Sequence, residues 1–396
     1  MNCSNLSRWA LSVCGAAFAL SGCGGSQSGV TTIPPSGTSI RYSVEALTTP
    51  LGGGVAEGVS NRDWIVGSTN GLRGCCVSRA ALWRNGNHTD LGTLGGPNSS
   101  EQWPVNDNRG LIAGVAETSK SDPFKEDFCS FGTGLTCLGF LWQNGAMHAL
   151  PTLGGNNAEA LGVNNRGQVV GYAETTTHDS CFGYHVLRFE AVVWGPKPGE
   201  IRKLAPLAGD TVSGAAGIND RGQVAGVSGL CSDPPRHAVL WHDGTVTDLG
   251  NLGGHVNNFP WAINANGDVV GQSGVPHNNT THAFLWTKQK GMQDLGTVAG
   301  DHSSLAFGLN NRGQIVGGSC VSFGSSFQHC RGFLWQNGAM LNLNDLVCSP
   351  TSLHLYFAND INDHGTIVGF AFDRKTRKFR PFIASPKTIA NGTKNC

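Results

Sequence analysis

Asp210, His255, Asn257, Asn258, Asp301, His302 and His354 are residue types that grip sugar hydroxyls and peptide amides, and their acid and imidazole groups also serve in proton transfer. Each falls between recurring apolar runs, where a rigid scaffold carries its variable loops. Glu57, Glu101 and Glu159 add carboxylates, and a pair of carboxyl groups at a defined separation hydrolyses glycosides. The plainer reading of the loop residues is solvated surface, and Trp103 and Trp261 read as packing rather than as sugar platforms. No Gly-x-Ser-x-Gly elbow, P-loop, His-Glu-x-x-His or EF-hand loop accompanies them. Asn264-Ala265-Asn266-Gly267-Asp268 is faintly calcium-like, but it sits where every repeat has its hairpin turn. Nothing in these motifs calls for a metal or a cofactor.

The 13 cysteines divide into two groups. Cys3, Cys14 and Cys23 belong to an N-terminal segment in which Arg8 precedes the 12-residue apolar run 9–20. That run is too short to cross a bilayer core of about 30 Å as a helix. It ends in Leu20-Ser21-Gly22-Cys23, which fits the bacterial lipobox, whose Cys is acylated and becomes the new N-terminus. Residues 1–22 therefore read as a lipoprotein signal peptide, excluded from the fold, rather than as an ordinary signal peptide with a chance Cys. Cys23 would carry the lipid, and residues 23–41 form a Gly/Ser/Pro/Thr-rich tether with an r.m.s. reach of roughly 20–25 Å. Gly24 after the Cys favours the outer membrane in a cell with two membranes, facing the periplasm or the surface. The other ten cysteines, an even number, suit up to five disulfides in an exported chain. A zinc site wants Cys-x2-4-Cys pairs, and none occurs. Cys129 with Cys137 and Cys320 with Cys330 each lie within one loop, and Cys181 with Cys231 fall in neighbouring repeats. Cys75, Cys76, Cys348 and Cys396 leave several pairings open, a vicinal redox pair at Cys75–Cys76 among them.

Charge excludes one class of partner. The chain of 396 residues balances 27 Lys and Arg against 27 Asp and Glu, so the clustered basic footprint of a nucleic-acid binder is missing. Glycine is the outlier at 57 copies against 17 prolines, which suits many tight turns between short strands. All-β is the resulting expectation.

The elements that position the candidate groups emerge from a repeat. Ile218-Asn219-Asp220-Arg221-Gly222-Gln223-Val224-Ala225-Gly226 recurs, with variation, from Val59, Val105, Val163, Ile263, Leu309 and Ile361, at roughly 50-residue intervals. Each phrase reads as a hairpin, with Asn bonding its own turn and Gly supplying the left-handed residue. A further strand ends in Trp at Trp83, Trp142, Trp194, Trp241, Trp286 and Trp335, and the seventh copy, Arg380-Pro381-Phe382-Ile383-Ala384, lacks it. A last one is read at Asp90-Leu91-Gly92-Thr93-Leu94, Asp248-Leu249-Gly250-Asn251-Leu252 and Asp294-Leu295-Gly296-Thr297-Val298. In chain order these are strands A, B, C and D. The chain opens on a D-like strand, Val44 to Leu51, and closes on a C strand, Phe379 to Ser385. The N-terminal strand therefore completes the last of seven four-stranded blades, and a seven-bladed β-propeller over residues 42–386 is expected, with a tail at 387–396. Strand A, with small residues at alternate sites such as Ala56 and Gly58, suits the innermost position.

These phrases resemble the HAF-repeat family of bacterial extracellular proteins, named for a His-Ala-Phe motif that stands here as His282-Ala283-Phe284, with His237-Ala238-Val239 as a near copy. The Asp-Leu-Gly-Thr-Leu-Gly-Gly and Ile-Asn-x-x-Gly phrases match as well, and the likeness covers 43–386. It implies the repeat and no agreed activity. The His column holds Arg79, Leu138, Glu190, Arg331 and Arg380 in other repeats, so a ligand or catalyst repeated in each blade is not expected.

The A–B and C–D turns share one face of such a ring, and the longer B–C and D–A loops share the other, where any site is expected. The favoured reading is a monomeric, non-enzymatic envelope protein, held to the membrane through its lipid, that presents this loop face to a carbohydrate, peptide or protein. An extracellular polysaccharide lyase or hydrolase and a structural or adhesive surface protein are the alternatives.

Overall fold

One side chain organises each repeated hairpin. In Asn164, Asn219, Asn264, Asn310 and Asn362 the amide oxygen accepts the backbone N–H groups two and four residues further on, at 2.9–3.1 Å. The third residue after the Asn is then a glycine with φ between 74° and 87°, which closes the turn without a Cβ clash. In the first repeat Asp63 takes that conformation, at φ 56°. The amide nitrogen is engaged too. It donates to the backbone carbonyl of the matching residue one repeat on, from Asn164 to Asn219, Asn264, Asn310, Asn362 and finally Ser60, at 3.0–3.4 Å. All five asparagines are buried. Asn106 of the second repeat lies outside the described residues.

The computed structural model describes residues 39–50, 53–70, 77–101, 109–179, 186–230, 237–254, 257–276, 280–321, 329–348 and 350–389. Among these, the strands form seven four-stranded antiparallel sheets in a ring, a seven-bladed β-propeller, as expected. Blade 1 holds Gly54–Val59, Ile65–Asn70, Ser78–Arg84 and Asn87–Asp90. The A strands of blades 2 to 7 are Gly95–Ser100, Gly154–Val163, Val212–Ile218, Phe259–Ile263, Ser303–Leu309 and Leu353–Ile361. Blade 7 continues with Ile367–Asp373 and Lys378–Ile389, and its fourth strand is Ser39–Ala46 from the other end of the described chain. Ser39 pairs with Ile389 and Ala46 with Phe382, so the ring closes by joining its first strand to its last. Tyr42 on that strand is fully buried, and burial pushes its hydroxyl up to about 12.

The A strands lie innermost because their backbones pack closely. A one-residue bulge recurs in six of them, at Glu57, Leu161, Ala216, Trp261, Phe307 and Asn359. The bulged side chains reach adjacent blades: the Trp261 and Phe307 rings lie 6.1 Å apart, and Asn359 donates to Glu57 at 2.7 Å. Opposite each bulge stands the closing glycine of the repeat. A Cβ on Gly67, Gly171, Gly226, Gly271, Gly317 or Gly369 would sit 1.9–2.2 Å from an A-strand carbonyl, so no other residue fits without moving the strand.

The repeated C-strand residues are structural. Trp83, Trp194 and Trp241 donate their indole N–H to the carbonyls of Thr48, Pro151 and Ala205 on the incoming crossover, at 2.6–2.8 Å. The variable His column has one job in four blades, an ion pair or hydrogen bond across to the D strand: Arg79–Asp90, His237–Asp248, His282–Asp294, and the charge-reversed Glu190–Lys203. The Asp-Leu-Gly-Thr-Leu phrase corrects the expected D strand. The strand ends at the Asp, and Gly92, Gly250 and Gly296 then turn the chain with φ of 91°, 76° and 72°. The same Asp carboxylates accept the N–H of those glycines at 2.7–2.9 Å, which is why the strand stops there.

Cys129–Cys137 and Cys320–Cys330 are disulfides, as the loop spacing suggests. Cys348 is disulfide-bonded as well. Cys23, Cys75, Cys76, Cys181, Cys231 and Cys396 lie outside the described residues. No helix among the described residues is long and apolar enough to cross a membrane.

Two tests follow from this framework. Asn219→Ala removes the acceptor of the Arg221 and Gln223 N–H groups and one of the two donors to the Asn264 carbonyl, so unfolding in denaturant should cost about 2–4 kcal/mol less; a loss below about 0.5 kcal/mol would show that the relay is dispensable. Burial also raises four carboxyls: Glu57 to about 8, Glu174 to about 8 with the neighbouring Glu126 carboxyl adding, and Glu159 and Asp360 to about 7. A raised folded value means stability fully present below the ordinary 4.5 or 3.8 and lost as pH climbs through 7–8. Thermal midpoints should therefore fall across that window, and Glu57→Gln should flatten the fall; an unchanged slope would refute the assignment.

Candidate functional site

The B–C and D–A loops share one face, and where blades 6 and 7 meet that face carries a cluster of aromatic rings. Phe372 and Phe379 stand opposite each other in the B–C hairpin of blade 7, with ring centroids 5.4 Å apart, and Phe370 lies 6.0 Å from Phe379. Tyr356, 5.9 Å from Phe379, joins them from the A strand. Beneath them the buried Cys320–Cys330 disulfide and Phe357 complete an apolar cluster. Phe370, Phe372 and Phe379 keep part of their surface open.

Polar groups rim this cluster. His354 is half-buried at the start of the A strand of blade 7. Its Nε2 donates to the Cys330 carbonyl (3.2 Å), and its Nδ1 accepts from the Arg374 guanidinium (3.2 Å). A carbonyl only accepts and a guanidinium only donates, so the imidazole is the neutral Nε2–H tautomer. Burial lowers its pKa, opposed by the Cys330 carbonyl and reinforced by Arg374 and Arg331. Arg331, at the start of the neighbouring C strand, pairs at 2.9 Å with Asp301, whose side chain is buried. Burial raises the Asp301 carboxyl against the pull of Ser319, Arg331 and His302. His302 is exposed, and its N–H donates to the Cys320 carbonyl at 3.0 Å.

Of the residues singled out from the sequence, Asp301, His302 and His354 thus come together. Asp210 does not join them. It accepts from Ser228 at 2.6 Å in the D–A loop leading into blade 4, and Asn258 accepts from Ser273 at 2.6 Å in the equivalent loop of blade 5. Both clamp loops to B strands. Asn257 is a left-handed residue beside that clamp, at φ 61°, and His255 lies outside the described residues. The carboxylates expected along strand A are engaged or buried: Glu57 accepts from Asn359, Glu159 from the Tyr172 hydroxyl, and Glu101 is 2% exposed. Trp261 is 3% exposed and packs, as expected, while Trp103 lies outside the described residues. A void of about 10 Å³ lies beside Trp261, Ala216 and Gly217, enough for one water and too small for a sugar. Among the described residues, no group of three or more His, Cys, Asp and Glu is arranged to hold a metal.

Arg331, Arg374 and Tyr356 are the site residues that sequence reasoning missed. One signal was visible. Arg331 occupies the His column, but its blade ends its D strand in Asn342 rather than Asp. Without its usual partner the side chain is free to pair with Asp301.

No protein-family model matches this chain, and no curated protein matches it. Among solved structures, an oligogalacturonate lyase from Vibrio parahaemolyticus is similar with a TM-score of 0.49 and 8% identity, over 88% of this chain and 96% of that one. Dipeptidyl peptidase 4 from Porphyromonas gingivalis gives 0.39 and 11%, over 82% of this chain and 51% of that one. A gluconolactonase from Xanthomonas campestris gives 0.29 and 14%, over 51% and 73%. Likenesses this distant carry no argument about what this chain binds or converts.

Proposed function

We propose that this chain is a cell-envelope binding protein, lipid-anchored at Cys23, that holds a carbohydrate, peptide or protein partner against the aromatic cluster where blades 6 and 7 meet. The observation that carries this reading is the engagement of His354. Both ring nitrogens have protein partners, so the imidazole is a positioned wall rather than a poised base, which needs an acceptor nitrogen within reach of a substrate proton. The partly open rings of Phe372 and Phe379 supply flat apolar surface, and Arg374 and Arg331 supply donors at its rim. The disulfides support an oxidising, extracytoplasmic setting.

The test is retention of the full chain on glycan and peptide arrays, with every retained probe examined for cleavage. Phe379→Ala and Arg331→Ala should each weaken retention about tenfold, equivalent to ~1.4 kcal/mol. Release of a shortened product would overturn the binding reading in favour of an enzyme. The anchor is tested separately: Cys23→Ala should leave the membrane fraction, and a variant still sedimenting with membranes would refute lipidation.

A further inference from the structure

We infer that the B–C hairpin of blade 7, Asp373–Arg380, is a docking surface for an acidic polysaccharide. This rests on the binding reading above and names the chemistry of its ligand.

The charge is concentrated. Residues 374–380 include Arg374, Lys375, Arg377, Lys378 and Arg380, in a chain whose 27 basic and 27 acidic residues balance only when these five are counted. Arg374, Lys375, Arg377 and Lys378 are exposed, and none of them forms an ion pair among the described residues. The one acid in the hairpin is occupied: Asp373 accepts from the Lys375 N–H at 3.0 Å and from the Thr376 hydroxyl at 2.7 Å. Asp301, on blade 6, is matched by Arg331. The tip is also held in place. Arg374 donates its N–H to the Ser352 carbonyl at 2.9 Å, and Arg377 closes the turn with φ 55°. Four cations on a fixed turn, with the apolar rings of Phe372 and Phe379 at its base, match a chain that alternates sugar faces with carboxylate or sulfate groups. A peptide carboxylate would use one such cation, not a row of them.

The hairpin stands far from the seam where the ring closes. The strand Lys378–Ile389 begins at this hairpin and crosses the blade for 12 residues, about 36 Å at 3.3 Å per step. At its far end Ile389 pairs with Ser39, the first residue of the closing strand. An anionic bilayer is the competing partner for such a cationic turn, and the experiment sets the two against each other.

The experiment uses the full lipidated chain in neutral detergent, with alginate, dextran sulfate and uncharged dextran as probes. Alginate and dextran sulfate should bind and uncharged dextran should not, with affinity falling as salt rises. Lys375→Gln/Arg377→Gln/Lys378→Gln should lose binding at least about tenfold with its thermal midpoint unchanged, since none of the three contacts the core. Unchanged binding by that variant, equal binding of uncharged dextran, or preference for phosphatidylglycerol vesicles over both acidic polymers would overturn the inference. If the triple variant still binds normally while Phe379→Ala does not, binding at the aromatic cluster survives and the hairpin assignment fails. If no array probe and none of these polymers is retained, both fail together.

Discussion

The buried asparagine amide is the interaction on which the ring depends. A β-blade of four short strands cannot bury its two faces alone. Sheets packed face to face need something to set their spacing and angle. Here the amide oxygen shapes the A–B turn of its own blade while the amide nitrogen reaches the next blade's backbone. Turn geometry and blade spacing are thus set by one group, and an error in either leaves a buried donor or acceptor unmatched. Among the described residues the relay runs from blade 3 through blade 7 to blade 1, with Ser60 accepting where the first repeat lacks the asparagine. The closing glycines work with it, since the A-strand carbonyl opposite each leaves no room for a Cβ.

The residues that name the resemblance belong to this framework and not to the chemistry. The histidine of His-Ala-Phe latches the C strand to the aspartate that ends the D strand, and blade 3 keeps the latch with both charges reversed. A column conserved in role but not in residue type is what a cross-strand pair at a sheet edge permits. Blade 6 breaks the rule and gains a use for the freed cation. With Asn342 where other blades end in Asp, Arg331 turns to Asp301 instead.

This history explains what could be read from the chain alone. Blade count, closure by the first strand and the Cys129–Cys137 and Cys320–Cys330 pairs follow from short-range phrases and their spacing, which sequence displays directly. The D strand was misplaced because Asp-Leu-Gly-Thr-Leu alternates like a strand, while the carboxylate's bond to the glycine N–H, invisible in the pattern, turns the chain. Asp301, His302 and His354 were found as loop residues on the right face. Asp210 and Asn258 looked equivalent to them and proved to be loop clamps, because the difference lies in serines 15 and 18 residues away in sequence. The partners of Asp301 and His354 stand 30 and 20 residues off, and only the ring brings them to one edge.

The closing strand has a mechanical side. Ser39–Ala46 lies antiparallel to Lys378–Ile389 through eight matched residues. Hydrogen bonds between strands run perpendicular to the strand axis. Tension applied at Ser39 along that axis loads the whole ladder in shear, all rungs together, instead of peeling them one by one. The seam that completes the circle is thus built in the geometry that best resists a pull along it.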